Sequence, residues 1–176
     1  MSVSVGDRDV PLGVGAAVGA VAELVGYLLV FIITSGSIRD NVLRQATDIP
    51  TWKAVGWVFF NAHFVETMID LGFLGSGTGS FIGEDGFSPI LYAVPPLVLI
   101  AAGLAVGQYR DIDEPVEALL GAVPLTLGYL VLVLVDLFAF QADGTGPVFA
   151  TGILLAGLVY PLVFGTVGGL VATVTD

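Results

Sequence analysis

Residues 53–75 read KAVGWVFFNAHFVETMIDLGFLG, and the interpretation of the whole chain depends on this stretch. It is about long enough to cross a bilayer as a helix, which takes about 20 mostly apolar residues. On a helix of 3.6 residues per turn, His63, Glu66 and Asp70 lie within roughly 60° of one face. Ionisable side chains in a spanning helix usually face a protein interior or a water-filled cavity. The stretch therefore predicts a membrane span with one polar stripe that faces the rest of the protein.

Four other apolar stretches have a similar length, and they account for a hydrophobic fraction of 56%. The predicted fold class is all-α, a single integral membrane bundle of five transmembrane helices. The predicted spans are residues 11–34, 53–75, 89–109, 116–140 and 147–174. Between the first two, residues 35–52 predict a short interfacial helix, because Ile38, Val42 and Ala46 recur at intervals of four before Pro50.

The five basic residues predict the orientation of this five-span bundle. Arg39, Arg44 and Lys53 follow the first span and Arg110 follows the third, which leaves only Arg8 on the other side. Cytoplasmic loops carry the excess of Lys and Arg. We therefore expect a cell-membrane protein with its N-terminus outside and its C-terminus in the cytoplasm.

Three GxxxG patterns predict close helix packing, because small residues let two backbones approach each other. They are formed by Gly15 with Gly19, Gly103 with Gly107, and Gly165 with Gly169. Such faces serve contacts within one chain or between copies. The partners we expect are the lipid bilayer and either a second copy or a larger membrane protein.

The 176-residue chain has a formal net charge of −11 and no cysteine. A strong negative charge excludes a nucleic-acid partner on electrostatic grounds. One Lys, many Asp and abundant Val, Ala and Gly resemble the composition of proteins from halophilic archaea. The chain as a whole resembles the small, uncharacterised multi-span membrane proteins of those organisms. This resemblance is one of composition and carries no functional residue.

Acidic side chains inside the predicted spans have no Lys or Arg beside them. Buried carboxylates without cations must be protonated, hydrated, hydrogen-bonded or bound to an ion. We predict an ion or proton pathway made of five residues: Glu23, His63, Glu66, Asp70 and Asp136. The alternative is structural, with the acids satisfied by hydrogen bonds from Tyr27, Tyr129, Thr67 or Thr126.

A metal centre is a further alternative, because His63 and Glu66 stand at i and i+3 on the predicted helix. Di-iron bundles use two such pairs in the reverse order with additional carboxylates, and this chain has a single histidine. Zinc hydrolases need more His or Cys, and His63 has no nucleophile at an informative spacing. We therefore expect no metal, no cofactor and no enzymatic activity.

Two functions remain open from the sequence. The first is a transporter-like or channel-like protein that handles protons or cations through the acidic residues. The second is a non-catalytic accessory or structural subunit of a larger membrane complex, in which the polar stripe docks against a partner. The small size, the three GxxxG patterns and the lack of a catalytic motif fit the second function as well as the first.

Overall fold

The computed structural model describes residues 2–5, 8–40, 49–83 and 86–175, and this part of the chain is mostly helical. Its helices are α1 (Leu12–Asp40), α2 (Thr51–Asn61), α3 (Val94–Tyr109), α4 (Pro115–Ala139) and α5 (Phe149–Ala172). Its strands are β1 (Ser2–Val5), β2 (Arg8–Pro11), β3 (Thr67–Asp70), β4 (Ser76–Gly79) and β5 (Gly146–Pro147). Short 3₁₀ turns cover Gly72–Leu74 and Pro89–Ala93.

Four helices are long and apolar enough to cross a membrane: α1, α3 with its preceding 3₁₀ turn, α4 and α5. This confirms the prediction of a mostly helical chain with helices of membrane length. Much of their outer surface consists of exposed Leu, Val and Ile. Of the predicted interfacial helix, residues 35–40 belong to the end of α1, and residues 41–48 lie outside the described residues.

The prediction that residues 53–75 form one spanning helix is wrong. Helix α2 ends at Asn61, the chain turns at Ala62–Phe64, and an extended limb leads into β3. Phe64 marks the reversal with a φ of 58°, which is rare for a bulky residue. A helix of 11 residues is about 16 Å long at 1.5 Å per residue, which is too short to cross a bilayer.

Residues 51–70 instead form a re-entrant segment, which enters the four-helix bundle and leaves it at the same end. At its start, the carbonyl of Trp52 accepts a hydrogen bond from the hydroxyl of Tyr27 in the middle of α1. At its tip, the ring of His63 contacts Tyr160 in the middle of α5, at a centroid distance of 5.0 Å. On its return, Thr67 pairs with Pro147 at the start of α5.

The backbone of the return limb is satisfied by protein groups, which a non-helical segment inside a bilayer requires. The side-chain amide of Asn61 donates to the carbonyl of Val65 at 2.8 Å. The amide of Val148 donates to the carbonyl of Glu66 at 3.0 Å. Strand β3 then lies between β4 and β5 in an antiparallel sheet of order β4-β3-β5. These bonds explain how residues 65–70 can be extended inside the bundle, where the sequence predicted a helix.

The helices pack in fixed relative directions. Residues near the start of α1 meet Pro124 and Leu125 of α4, and Tyr27 in the middle of α1 stacks on Phe140 just after α4, so these two helices are parallel. Helix α5 runs antiparallel to α4 and parallel to α3. We call the end of the bundle where α1 begins the proximal end, and the end where α1 finishes the distal end. The re-entrant segment and its sheet lie at the distal end.

Glycines allow backbone contact at two helix crossings. A Cβ atom at Gly19 would overlap the carbonyl oxygen of Leu125, and one at Gly128 would overlap that of Ala16. These two glycines bring α1 and α4 together. At the second crossing, between α3 and α5, Gly103 faces the backbone of Gly165 and Gly107 lies against Gly169 and Ala172. Gly15 adds a contact with Pro124 at the first crossing.

Four helices of membrane length, in place of the five predicted, change the relation between the two ends of the chain. Gly15 near the start of α1 and Gly169 near the end of α5 both lie against the first half of α4, at Pro124 and Ala118 respectively. The start of α1 and the end of α5 therefore both lie at the proximal end of the bundle, on the same side as Arg110. The expected placement of the termini on opposite sides loses its basis, because it required a full crossing by residues 53–75.

Adding a methyl group at Gly128 tests the α1–α4 crossing. We expect Gly128→Ala to lower the free energy of unfolding by about 1–3 kcal/mol, because the two backbones must separate. Gly36→Ala is the matched control, since a Cβ atom there has nothing within 4 Å. The control should be neutral or more stable by about 0.5–1 kcal/mol, because Ala favours the helix over Gly. Thermal unfolding in detergent measures both, and equal shifts would contradict the packing.

Labelling of single cysteines tests the re-entrant segment. The chain has no cysteine, so Ser37→Cys, Ser76→Cys and Asp113→Cys each give one reactive site without background. We expect a membrane-impermeant thiol reagent to label positions 37 and 76 from the same side, and position 113 from the other. Labelling of positions 37 and 113 from one side, with position 76 on the other, would restore the five-span bundle.

Candidate functional site

Two carboxyl groups meet in the contact between α1 and α4. Glu23 follows Gly19 by one turn on the small-residue face of α1, and Asp136 lies in the last turn of α4. The two side chains are close enough for their carboxyl groups to share a hydrogen bond. Glu23 is 1% exposed, whereas Asp136 is half-buried. Because α1 and α4 are parallel, residues far apart in sequence reach the same level of the bundle.

This carboxyl pair needs a proton. Neither α1 up to Ile38 nor α4 contains a Lys or Arg that could neutralise it. The Oε1 atom of Glu23 is buried and has no conventional hydrogen-bond donor among the described residues. Two ionised carboxylates in contact repel each other, and a carboxylate cannot donate a hydrogen bond. The contact is favourable when one carboxyl group is protonated and donates to the other.

The hydroxyl groups proposed as structural partners of the acids are engaged elsewhere. Thr126 donates to the carbonyl of Ala122 at 2.8 Å in its own helix. Thr67 accepts a hydrogen bond from Asn61 at 3.2 Å, and Tyr27 donates to the carbonyl of Trp52 at 3.0 Å. Tyr129 is bonded to His63. These bonds leave the carboxyl pair to satisfy itself by sharing a proton.

Aromatic side chains cover the distal side of the carboxyl pair. The ring of Tyr27 stacks on Phe140 with centroids 5.5 Å apart, and Trp52 packs against the same ring at 5.8 Å. The indole N–H of Trp57 donates to the carbonyl of Phe140 at 2.7 Å. Gly56 lies beneath the Phe140 ring, where a Cβ atom would overlap it. The re-entrant segment is thereby attached to the end of α4, next to Asp136.

His63 lies at the tip of the re-entrant segment and is 0% exposed. Its Nδ1 atom is 2.9 Å from the carbonyl oxygen of Phe59, and its Nε2 atom is 2.8 Å from the hydroxyl of Tyr129. The rings of Phe59 and Tyr160 enclose it at centroid distances of 4.8 and 5.0 Å. A neutral imidazole satisfies both hydrogen bonds, and burial disfavours the charged form.

Tyr129 bonds to His63 and lies on α4 near the carboxyl pair. Its side chain is buried, seven residues before Asp136 and therefore on nearly the same helix face. Its backbone nitrogen lies beside Gly19 of α1, one turn before Glu23. The site therefore consists of Glu23, Asp136, Tyr129 and His63, which come from α1, α4 and the re-entrant segment.

Two of the predicted pathway residues lie apart from this site. Glu66 is exposed on the return limb, and Asp70 is exposed at the end of β3. The carboxylate of Asp70 accepts a hydrogen bond from the amide of Gly72 at 2.7 Å, so it stabilises a turn. The structure brings together Glu23 and Asp136, and it places His63 against Tyr129 of α4. The stripe that grouped His63, Glu66 and Asp70 required a helix that the chain does not form.

Because residues 53–75 do not form one helix, His63 and Glu66 also lack the i, i+3 geometry of the metal pair considered above. Both ring nitrogens of His63 are occupied by protein groups, and Glu66 points to the surface. In the described part of the chain, no group of three or more His, Cys, Asp or Glu side chains is arranged to hold a metal ion.

The sequence analysis considers Tyr129 only as a hydrogen-bond partner of the acids and does not predict its bond to His63. One signal was present, because Tyr129 and Asp136 are separated by seven residues, which is two turns of α4. The link from Tyr129 to His63 had no such signal, since it depends on the reversal of the chain after Asn61.

Comparison with known proteins gives a family and no function. A search of curated proteins found no match, and a search of solved structures found none either. A family model described as a family of unknown function, DUF7978, matches residues 2–176. The match covers almost the entire sequence, and the chain therefore belongs to the DUF7978 family.

Proposed function

We propose that this protein is a small integral protein of the cell membrane that transfers protons through the Glu23–Asp136 pair. The observation that carries the proposal is the close approach of these two carboxyl groups, inside the bundle and without a basic partner in α1 up to Ile38 or in α4. Two interacting acids bind and release protons as a unit. Ionisable residues inside membrane helices are costly, and they commonly belong to ion or proton pathways.

The site favours protons over larger cations. A hard cation such as Ca²⁺ takes six to eight oxygen ligands, and Mg²⁺ requires near-octahedral geometry. The carboxyl pair has no third acidic or His ligand among the described residues. A shared proton needs only the two carboxyl groups. The pair is therefore suited to bind one proton and unsuited to hold a divalent ion.

Asp136 is the point at which a proton enters. It is half-buried and lies one turn from the distal end of α4, whereas Glu23 is fully buried. A proton taken up by Asp136 passes to Glu23 along the hydrogen bond that joins them. In this conformation, the site is reached through the exposed part of Asp136, beside the aromatic side chains that cover the distal side of the pair.

The proximal side is closed by the α1–α4 crossing. On the proximal side of Glu23, the backbones of α1 and α4 touch at Gly19 and Leu125, and again at Ala16 and Gly128. Contact between backbones leaves no room for a chain of water molecules along that path. Release of a proton to the proximal side then requires this crossing to open, or another conformation of the site. The protein is accordingly closer to a transporter than to an open channel.

A second candidate function is that of an accessory subunit in a larger membrane complex. It is favoured by apolar side chains on the distal sheet, outside the four spans. Phe73 is 96% exposed between β3 and β4, and Met68 and Leu71 are exposed beside it. A partner protein would bury these side chains. In this role the carboxyl pair would stabilise the bundle without exchanging protons.

Charge-neutral substitutions separate the two functions. We expect Glu23→Gln and Asp136→Asn to lower proton flux into proteoliposomes by about a hundredfold or more, because an amide cannot carry the proton. Glu66→Gln is the matched control, since Glu66 is exposed and away from the pair. The control should transport like the wild type. Unchanged flux in both site variants would refute proton transfer, and loss of a co-purifying partner with those variants would support the accessory role.

A further inference from the structure

Residues Gly152–Val159 of α5 form a π-helix, in which backbone hydrogen bonds run to the fifth residue back. The amide of Tyr160 follows the same pattern, because it donates to the carbonyl of Leu155. In an α-helix, Tyr160 would donate to Ala156 instead. π-Helices are rare, and they are frequent at functional sites. The wide segment of α5 is therefore a candidate for a part of the protein that changes its conformation.

The π-helix packs against the part of α4 that carries Asp136. A Cβ atom at Gly152 would overlap the side chain of Leu137, the residue after Asp136. A Cβ atom at Gly157 would overlap the side chain of Leu130. The two glycines thus bring the π-helix into close contact with both ends of the α4 segment 130–137. A change in the shape of the π-helix must shift this segment, and with it one member of the carboxyl pair.

The end of the π-helix meets the tip of the re-entrant segment. Tyr160, the first residue after the π-helix, is buried, and its ring contacts that of His63 at a centroid distance of 5.0 Å. Conversion of a π-helix into an α-helix moves the hydrogen bonds by one residue, and each residue of an α-helix turns by roughly 100°. The conversion would therefore rotate Tyr160 relative to the start of α5 and take its ring away from His63.

Pro161 removes one backbone hydrogen bond from either form of the helix, because a proline has no amide hydrogen. In the π pattern, the carbonyl that loses its donor belongs to Ala156, five residues back. In the α pattern it belongs to Gly157, four residues back. The α form therefore costs no additional backbone hydrogen bond at this position. Such a balance allows one segment to have two conformations of similar free energy.

We propose that conversion of this π-helix into an α-helix opens the proximal side of the carboxyl pair. The inference rests on the proposed function and adds the conformational change that regulates access to the same site. In the π form, the α1–α4 crossing closes the proximal side at Gly19 and Leu125. In the α form, segment 130–137 of α4 loses its contacts with α5, and Tyr160 releases the re-entrant segment. Helix α4 can then separate from α1, and the pair releases its proton to the proximal side.

Deletion of Leu154 tests this hinge, because removal of one residue allows the flanking turns of α5 to join as an α-helix. Leu154 is exposed, so the deletion removes no packed side chain. We expect the variant to fold and to keep the infrared band of the protonated carboxyl group. Proton flux should fall at least tenfold, because the helix has no second form. Leu154→Ala is the matched control, since it shortens the same side chain and keeps the number of residues. It should transport like the wild type.

A label placed after the hinge follows the motion even if the deletion variant does not fold. The chain has no cysteine, so Val163→Cys with a trifluoromethyl reagent places one ¹⁹F label on the exposed side of α5. In lipid we expect two signals, whose ratio changes over the pH range in which the carboxyl pair titrates. The deletion of Leu154 should leave one signal. Ile32→Cys, exposed on α1, is the control and should give one signal throughout.

Two results would overturn the hinge. One is a single, unchanged ¹⁹F signal from position 163 at every pH, and the other is wild-type flux in a folded protein that lacks Leu154. Failure of the proposed function is recognised separately, since Glu23→Gln would then transport like the wild type.

Discussion

The contact between the carboxyl groups of Glu23 and Asp136 is the constraint on which the rest of the bundle depends. Two acids meet where neither α1 up to Ile38 nor α4 supplies a Lys or Arg, and their contact is stable only when they share a proton. The helices must nevertheless approach closely enough to form it. Gly19 and Gly128 allow that approach, because their lack of side chains lets the α1 and α4 backbones touch beside the pair. The same glycines close the proximal side of the site, so the packing that creates the pair also limits access to it.

The re-entrant segment contributes His63 to the site, beside the residues of α1 and α4. A full span at residues 53–75 would place His63 on a continuous helix and would leave the end of α4 uncovered. The short helix α2 instead places Trp57 against Phe140 and His63 against Tyr129. Its return limb is held by Asn61, which donates to Val65 and accepts from the amide of Phe81. A buried amide that satisfies three backbone or hydroxyl groups would be costly to replace, since each orphaned group costs about 1–3 kcal/mol.

The sequence predicted those parts of the fold that depend on local pattern. The predicted span 89–109 coincides with the 3₁₀ turn and α3 together, and the spans 116–140 and 147–174 differ from α4 and α5 by one or two residues at each end. Long apolar runs bounded by polar links are strong signals. The prediction of one helix over residues 53–75 fails because a helical wheel places His63, Glu66 and Asp70 on one face, whereas the chain reverses after Asn61. The partners of Glu66 and Thr67 on the return limb, Val148 and Pro147, come from a distant loop. The Glu23–Asp136 contact could not be predicted either, since it requires α1 and α4 to be parallel and in register.

Infrared absorption by the carboxyl groups tests the central claim most directly, because it detects the shared proton itself. At neutral pH, the wild type in lipid should show the band of a protonated carboxyl group, with a shift in D₂O. This band should disappear in Glu23→Gln and persist in Glu66→Gln. A wild-type spectrum with only ionised carboxylates at neutral pH would contradict the account, since the pair would then hold no proton. A protonated band that survives in Glu23→Gln would place the proton on another residue.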